Sequence, residues 1–107
     1  MPRFAVLLHD WPSPHYDLLL EADGVLKTWR LAEPPRDGVR VEPISDHRLL
    51  YLDYEGAVSG NRGSVTRFDG GELTWFGEEF ELHGATVRGR FAIVDSCLAT
   101  SRLKVIL

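Results

Sequence analysis

The stretch His15-Tyr16-Asp17-Leu18-Leu19-Leu20-Glu21-Ala22-Asp23-Gly24-Val25-Leu26-Lys27-Thr28-Trp29-Arg30-Leu31 decides the fold. Two apolar-rich runs flank Asp23-Gly24, a dipeptide suited to the two positive-φ positions of a type I′ turn, so the segment predicts a tight β-hairpin. Pairing Ala22 with Val25 sets Glu21 opposite Leu26, Leu20 opposite Lys27, Leu19 opposite Thr28, Leu18 opposite Trp29 and Asp17 opposite Arg30. Strand side chains alternate sides, so Tyr16, Leu18, Leu20, Ala22, Val25, Trp29 and Leu31 share one apolar face. Lys27 interrupts that face, its aliphatic stem covering apolar surface while the ammonium reaches water at the rim. The other face carries His15, Asp17, Glu21, Thr28 and Arg30, with Leu19 and Leu26 as apolar exceptions.

Outward from the hairpin, short alternating stretches bounded by Gly, Pro, Asp and Asn recur, and no segment keeps helical spacing of apolar residues over three turns. Besides the two hairpin strands, Tyr16 to Ala22 and Val25 to Leu31, strands are predicted over Phe4 to Leu8, Leu49 to Tyr54, Ser64 to Phe68, Glu72 to Phe76, Glu79 to Leu82 and Thr86 to Val94. The fold class is mainly β, a compact small barrel of antiparallel strands, since closure removes exposed edges. Ala32 to Pro43, with Pro34, Pro35 and Gly38, reads as a loop. Leu98 to Leu107 fits either a last strand or a short helix. A chain of 107 residues suits a single domain over residues 1–107.

With 44% hydrophobic and 26% charged residues the chain is far from the composition of a disordered one. The apolar run Phe4 to Leu8 stops at His9-Asp10, too short for a signal-peptide core or a membrane span. Cys97 is the only cysteine, which excludes an internal disulfide and a thiolate metal cluster and makes a cytoplasmic location the expectation. A net charge of -4 argues against non-specific coating of nucleic acid, whose affinity comes from basic residues displacing counterions. Arginines nevertheless greatly outnumber the two lysines, and the guanidinium fork suits phosphate oxygens.

His15 and Asp17, two apart on one strand face, can share a cation, and His9 closes the preceding apolar run. Two histidines and a carboxylate with open coordination positions suit manganese, iron(II) or zinc. On spacing alone His-x5-His-x-Asp is a weak motif. His9 capping a strand end and Asp17 pairing with Arg30 across a wet surface would account for it without metal.

The segment His9-Asp10-Trp11-Pro12-Ser13-Pro14-His15-Tyr16-Asp17-Leu18-Leu19-Leu20-Glu21 resembles the metal-binding segment of the 3'-phosphoesterase family of bacterial ligase D. The likeness continues in order through Asp23 to Trp29, Asp46-His47, Tyr51, Asp53-Tyr54-Glu55-Gly56, Gly84 and Arg88-Gly89-Arg90-Phe91, over roughly residues 3 to 94. The resemblance implies a compact β-barrel and a metal-dependent enzyme, usually manganese-dependent with zinc or another divalent ion as options. Such an enzyme trims a 3'-terminal ribonucleotide and removes the remaining 3'-phosphate during DNA end repair. It implies that His9, His15 and Asp17 are metal ligands, that His47 and Tyr51 contact the scissile phosphate, and that Glu21 fills an acidic position after the ligands. Taken alone, His47 reads as a loop histidine and Tyr51 as a core aromatic with a bonded hydroxyl.

Three departures qualify that picture. Leu19 stands where the family has a phosphate-binding arginine, and Arg30, opposite Asp17 and diagonal to Leu19, is the candidate to supply the guanidinium. The loop Ala57 to Gly63 is shorter than the family's glycine-rich loop and lacks its acidic and tyrosine elements; Gly60, Asn61 and Gly63 would still let backbone amides approach a phosphate, with Arg62 as a charged contact. The chain looks freestanding, so partners beyond nucleic-acid 3' ends would be separate ligase or polymerase repair proteins. The alternatives are a catalytically degenerate module that keeps the metal and binds nucleic-acid ends or a repair protein, and a metal-free β interaction module.

Overall fold

A computed structural model describes residues 1–100 of the chain. Among the described residues nine strands run in one antiparallel sheet: β1 (Arg3–His9), β2 (His15–Ala22), β3 (Val25–Leu31), β4 (Glu42–His47), β5 (Gly56–Ala57), β6 (Ser64–Phe76), β7 (Glu79–His83), β8 (Arg88–Val94) and β9 (Cys97–Thr100). Their order is β4-β3-β2-β1-β6-β7-β8-β9, with β5 added alongside β6. The sheet curls until its ends meet. Gly38 N–H donates to Leu98 O, Leu98 N–H to Val39 O and Val41 N–H to Ser96 O, so the chain leading into β4 is stitched to β9. The expected antiparallel β-barrel is borne out. None of the helical structure described is long and apolar enough to cross a membrane.

The β2–β3 hairpin has the expected register in every pair from Tyr16–Leu31 to Ala22–Val25. Asp23 (φ 53°) and Gly24 (φ 80°) take the left-handed conformations a type I′ turn requires. The apolar hairpin face fills the barrel: Leu18, Leu20 and Leu31 pack with Phe4, Val6, Leu73, Phe80, Leu82 and Phe91, and with Val39 and Val41 from the closing segment. Lys27 reaches the rim, where its Nζ lies 3.4 Å from Asp46.

A second, smaller core lies on the outer face. Ala5 and Leu7 of β1 and Leu19 and Leu26 of the hairpin are buried there with Leu52 and Val65, flanked by Tyr51, Tyr54 and Val58. Leu19 and Leu26 are thus core residues of a second layer. The sign of that layer is the unbroken run Phe4 to Leu7, all at most 1% exposed. A strand that is apolar at every position is covered on both faces. This outer core is the floor on which the site is built.

Several elements differ from expectation, among them the short β5, which no pattern announced. Leu49 to Tyr54 is not a strand: Leu49–Leu52 forms a 3-10 turn that pushes Leu52 into the outer core. A short apolar run fits either state by its pattern, and the tertiary contact decides. β4 forms within and beyond the segment read as a loop, because Pro43 sits in a strand at the end of the pairing order. β6 runs through Asp69-Gly70-Gly71 as one strand of 13 residues, with a bulge where the register against β1 shifts between Val6 and Leu7. A Cβ on Gly71 would stand 2.3 Å from His83 O, so this glycine permits a close backbone crossing rather than a turn. β8 begins at Arg88, two residues later than expected. Of Leu98 to Leu107, residues up to Thr100 are strand and the remainder lies outside the described residues.

Candidate functional site

Strand pairing assembles the polar groups. His9 ends β1 directly opposite His15 at the start of β2, and Asp17 follows two residues on, on the same outer face. Their potential ligand atoms all lie within 4.8 Å of one another. His15 Nε2 is 3.3 Å from Asp17 Oδ1, His9 Nδ1 is 3.7 Å from Asp17 Oδ2, and the two imidazoles meet edge to face at 5.0 Å. His15 and Asp17 are buried and His9 is half-buried.

The remaining ring nitrogens define the tautomers. His15 Nδ1 is 2.9 Å from Ser13 O and His9 Nε2 is 2.7 Å from Arg62 O. A carbonyl only accepts, so each of these nitrogens carries the hydrogen and donates it. His15 Nε2 and His9 Nδ1 are left with lone pairs turned toward a carboxylate that also offers only lone pairs. His15 Nε2 and Asp17 Oδ1 are fully buried with no hydrogen-bond partner. Three electron-pair donors converging in this way make a donor set that a cation would fit, and both rings donate their other N–H outward to a backbone carbonyl, as metal-binding histidines do. Burial pushes the Asp17 carboxyl above its ordinary pKa, against the opposing pull of His15, His47, His9 and Arg30.

A cleft of about 390 Å³ opens beside this triad, walled by His9, Asp17, Arg30, His47, Arg48, Tyr51 and Arg62, with Trp11 among its lining residues and Leu7 and Val65 from the outer core. His47 and Tyr51, which come from β4 and the 3-10 turn, stack edge to face at 5.5 Å. His47 Nδ1 donates to Ser45 O at 3.0 Å, leaving Nε2 as the nitrogen available for proton exchange. Arg30 lines this cleft and also a neighbouring one of about 550 Å³ that His15 and Arg40 share. Its Nε is buried without a hydrogen-bond partner, and the side-chain atoms closest to the Asp17 carboxylate are those of the two histidines. The protein is acidic overall, yet three arginines gather at this one cleft.

The family model of the DNA ligase D 3'-phosphoesterase domain matches residues 8–95. The chain belongs to the DNA ligase D 3'-phosphoesterase family. It is 32% identical over 109 residues to the multifunctional non-homologous end joining DNA repair protein LigD of Mycobacterium tuberculosis, covering 85% of this chain and 14% of that protein. It is likewise 32% identical over 116 residues to the multifunctional non-homologous end joining protein LigD of Pseudomonas aeruginosa, covering 90% of this chain and 14% of that protein. The chain therefore spans only a small part of the length of these relatives.

Other residues that carried the resemblance turn out to brace the frame. Glu21 accepts the Arg3 backbone N–H at 2.9 Å, and the Arg3 guanidinium grips Asp53 through both carboxylate oxygens at 2.6 and 3.0 Å. Glu55 accepts the Arg67 N–H, and the Tyr54 hydroxyl donates to Ala57 O. The short loop Ala57 to Gly63 has a part that residue types do not reveal: its Arg62 carbonyl orients the His9 ring, while the Arg62 side chain turns back to Ser59. Leu19, the expected departure from the family pattern, is fully buried in the outer core.

Proposed function

We propose that this protein is a metal-dependent phosphoesterase acting on the 3'-phosphate or 3'-ribonucleotide ends of nucleic acid in DNA repair, as a single domain over residues 1–107 working in the cytoplasm. The observation that carries the reading is the convergence of His9 Nδ1, His15 Nε2 and Asp17 on one point with buried, unpartnered atoms, at the edge of an arginine-lined cleft. His9, His15 and Asp17 would hold a divalent cation, manganese in the first instance, with zinc able to take the same ligands. Such an ion supplies Lewis-acid polarisation of a phosphoryl oxygen.

The chain's own groups account for the rest. A phosphate monoester brings concentrated negative charge, and the guanidinium of Arg30, on the cleft wall, is the donor suited to its oxygens. Tyr51 is a hydroxyl donor to the same anion. His47, with Nδ1–H committed to Ser45 O, holds or delivers a proton at Nε2, which suits protonation of the leaving oxygen. Positioning and electrostatics of this kind carry most of the work in phosphoryl transfer. The partners implied are nucleic-acid 3' ends, with ligase and polymerase activities acting before or after.

The test is release of phosphate from a 3'-phosphorylated primer-template. Release is expected with added manganese and none after chelation. No release while manganese still binds would instead identify a module that holds nucleic-acid ends, with Leu19 marking the loss of chemistry. Arg30→Ala should lower kcat/KM about a hundredfold, a loss of about 2.7 kcal/mol in transition-state stabilisation, with Arg30→Lys recovering only part. An Arg30→Ala enzyme of wild-type activity would remove Arg30 from the anion site.

A further inference from the structure

Trp11 is 43% exposed, an unusual position for the largest apolar side chain, and it lines the cleft that His9, Asp17, His47, Arg48 and Arg62 also line. It stands two residues after His9, on the turn between β1 and β2. The turn is firmly held. Asp10 N–H donates to Ser64 O, and the Asp10 carboxylate accepts from Ser64 N–H at 2.8 Å and Ser64 Oγ–H at 3.2 Å. Gly63 makes this docking possible: a Cβ there would lie 2.2 Å from Asp10 Oδ1 and 2.6 Å from Trp11 Cβ. The segment next to the metal ligands is therefore clamped to β6 while it leaves a flat indole at the mouth of a cationic cleft.

We propose that Trp11 is the stacking platform for the terminal base of a 3'-phosphorylated strand whose phosphate enters the cleft. The inference rests on the phosphoesterase reading for the placement of that phosphate. A phosphate and its own base are separated by one sugar, so an anion site with an adjacent exposed aromatic matches a nucleotide end rather than a free phosphate. Stacking uses the π-face that every base presents, and makes the site selective for an intact terminal nucleotide while tolerant of its sequence. The arginines of the cleft supply the charge attraction that an acidic protein otherwise lacks.

The experiment uses fluorescein-labelled DNA strands ending in a 3'-phosphate, carrying either a normal terminal nucleotide or a tetrahydrofuran abasic analogue. Binding is read by anisotropy and phosphate release is measured in parallel, both with manganese. For the normal strand Trp11→Ala is expected to raise Kd about tenfold or more, with Trp11→Phe recovering most of the affinity. The wild type should bind the abasic strand with a similar deficit, and Trp11→Ala should add nothing to it. Equal affinities of wild type and Trp11→Ala for the normal strand, or an equal loss on both strands, would overturn the proposal even if phosphate is released normally. Trp11-dependent discrimination without release would uphold the platform and refute the catalytic reading, whereas no binding by the wild type would overturn both. Thermal melting of both variants separates a binding defect from misfolding.

Discussion

An Asp17→Asn variant is expected to melt at a higher temperature than the wild type when both are stripped of metal, and to lose the stabilisation that manganese gives. Asp17 is 2% exposed, its Oδ1 has no hydrogen-bond partner, and it faces the lone pairs of His15 Nε2 at 3.3 Å and His9 Nδ1 at 3.7 Å. Without a cation this is a buried charge set against two acceptors. An amide in the same place removes the charge, and its NH2 group can donate to His15 Nε2. Relieving an unsatisfied buried group is worth about 1–3 kcal/mol, or about 4 °C and upward in Tm for a chain of this size. The wild type should gain about 2.7 kcal/mol at a manganese concentration a hundredfold above Kd, and the variant almost nothing. Phosphate release should be lost with it. A variant less stable than wild type without metal, or one with an intact manganese shift, would mean that the triad is a structural cluster. This opposition of stability and ligand binding is expected where a site is built ahead of its ligand.

Asp69→Ala should cost more than any surface change. Asp69 is 7% exposed and each of its carboxylate oxygens takes two backbone N–H groups, Gly70 and Ala85 on Oδ1, Thr86 and Val87 on Oδ2, at 2.5–3.0 Å. The loop wraps this closely because Gly84 has no side chain: a Cβ there would lie 2.4 Å from Asp69 Oδ2. Truncation strands four donors and releases the loop that seats Val87 in the main core, a loss of at least about 3 kcal/mol. At about 4–8 °C per kcal/mol, the midpoint should fall by about 12 °C or more. Asp69→Asn should fare little better, since its amide nitrogen must face two donors on one side.

The same carboxylate carries a pH signature. Burial alone would raise its pKa, but the N–H groups of Val87, Thr86, Gly70 and Ala85 outweigh that and hold the Asp69 carboxyl below the usual carboxylate range. A pKa lower in the folded than in the unfolded chain contributes stability that is full above the unfolded value of about 3.9 and is lost as pH falls through the folded value. The stability gap between wild type and Asp69→Asn should therefore be constant near neutrality and narrow below about pH 4. Denaturant unfolding at a series of pH values reads it directly, and a gap that does not change with pH would show that Asp69 has the same pKa in the folded and unfolded chain.

What the residues reveal in advance is what local chemistry dictates. Asp23-Gly24 sets the hairpin register, and the register puts His15, Asp17 and Arg30 on one face. The unbroken run from Phe4 to Leu7 holds the further information that β1 is covered on both sides, which explains Leu19 and Leu26. Reading the hairpin as having one wet face misses it. The segment from Leu49 reads as a strand by its pattern and forms a 3-10 turn instead, because Leu52 enters that outer core. β4 was hidden by Pro43, which a strand at the end of the pairing order tolerates. His47 and Tyr51 were legible only through the family resemblance, since nothing local tells that β4 and the turn bring them together at the cleft. The Arg62 carbonyl that orients His9 was not legible at all, because a backbone oxygen carries no residue identity.

The central claim is that His9, His15 and Asp17 hold one divalent cation beside the arginine-lined cleft. Its most direct test is anomalous diffraction from crystals grown with manganese. A peak bonded to His9 Nδ1, His15 Nε2 and Asp17 is expected, with His9 Nε2–H still on the Arg62 carbonyl and His15 Nδ1–H on that of Ser13. Manganese absent from that point, or bound with either imidazole flipped, would contradict it.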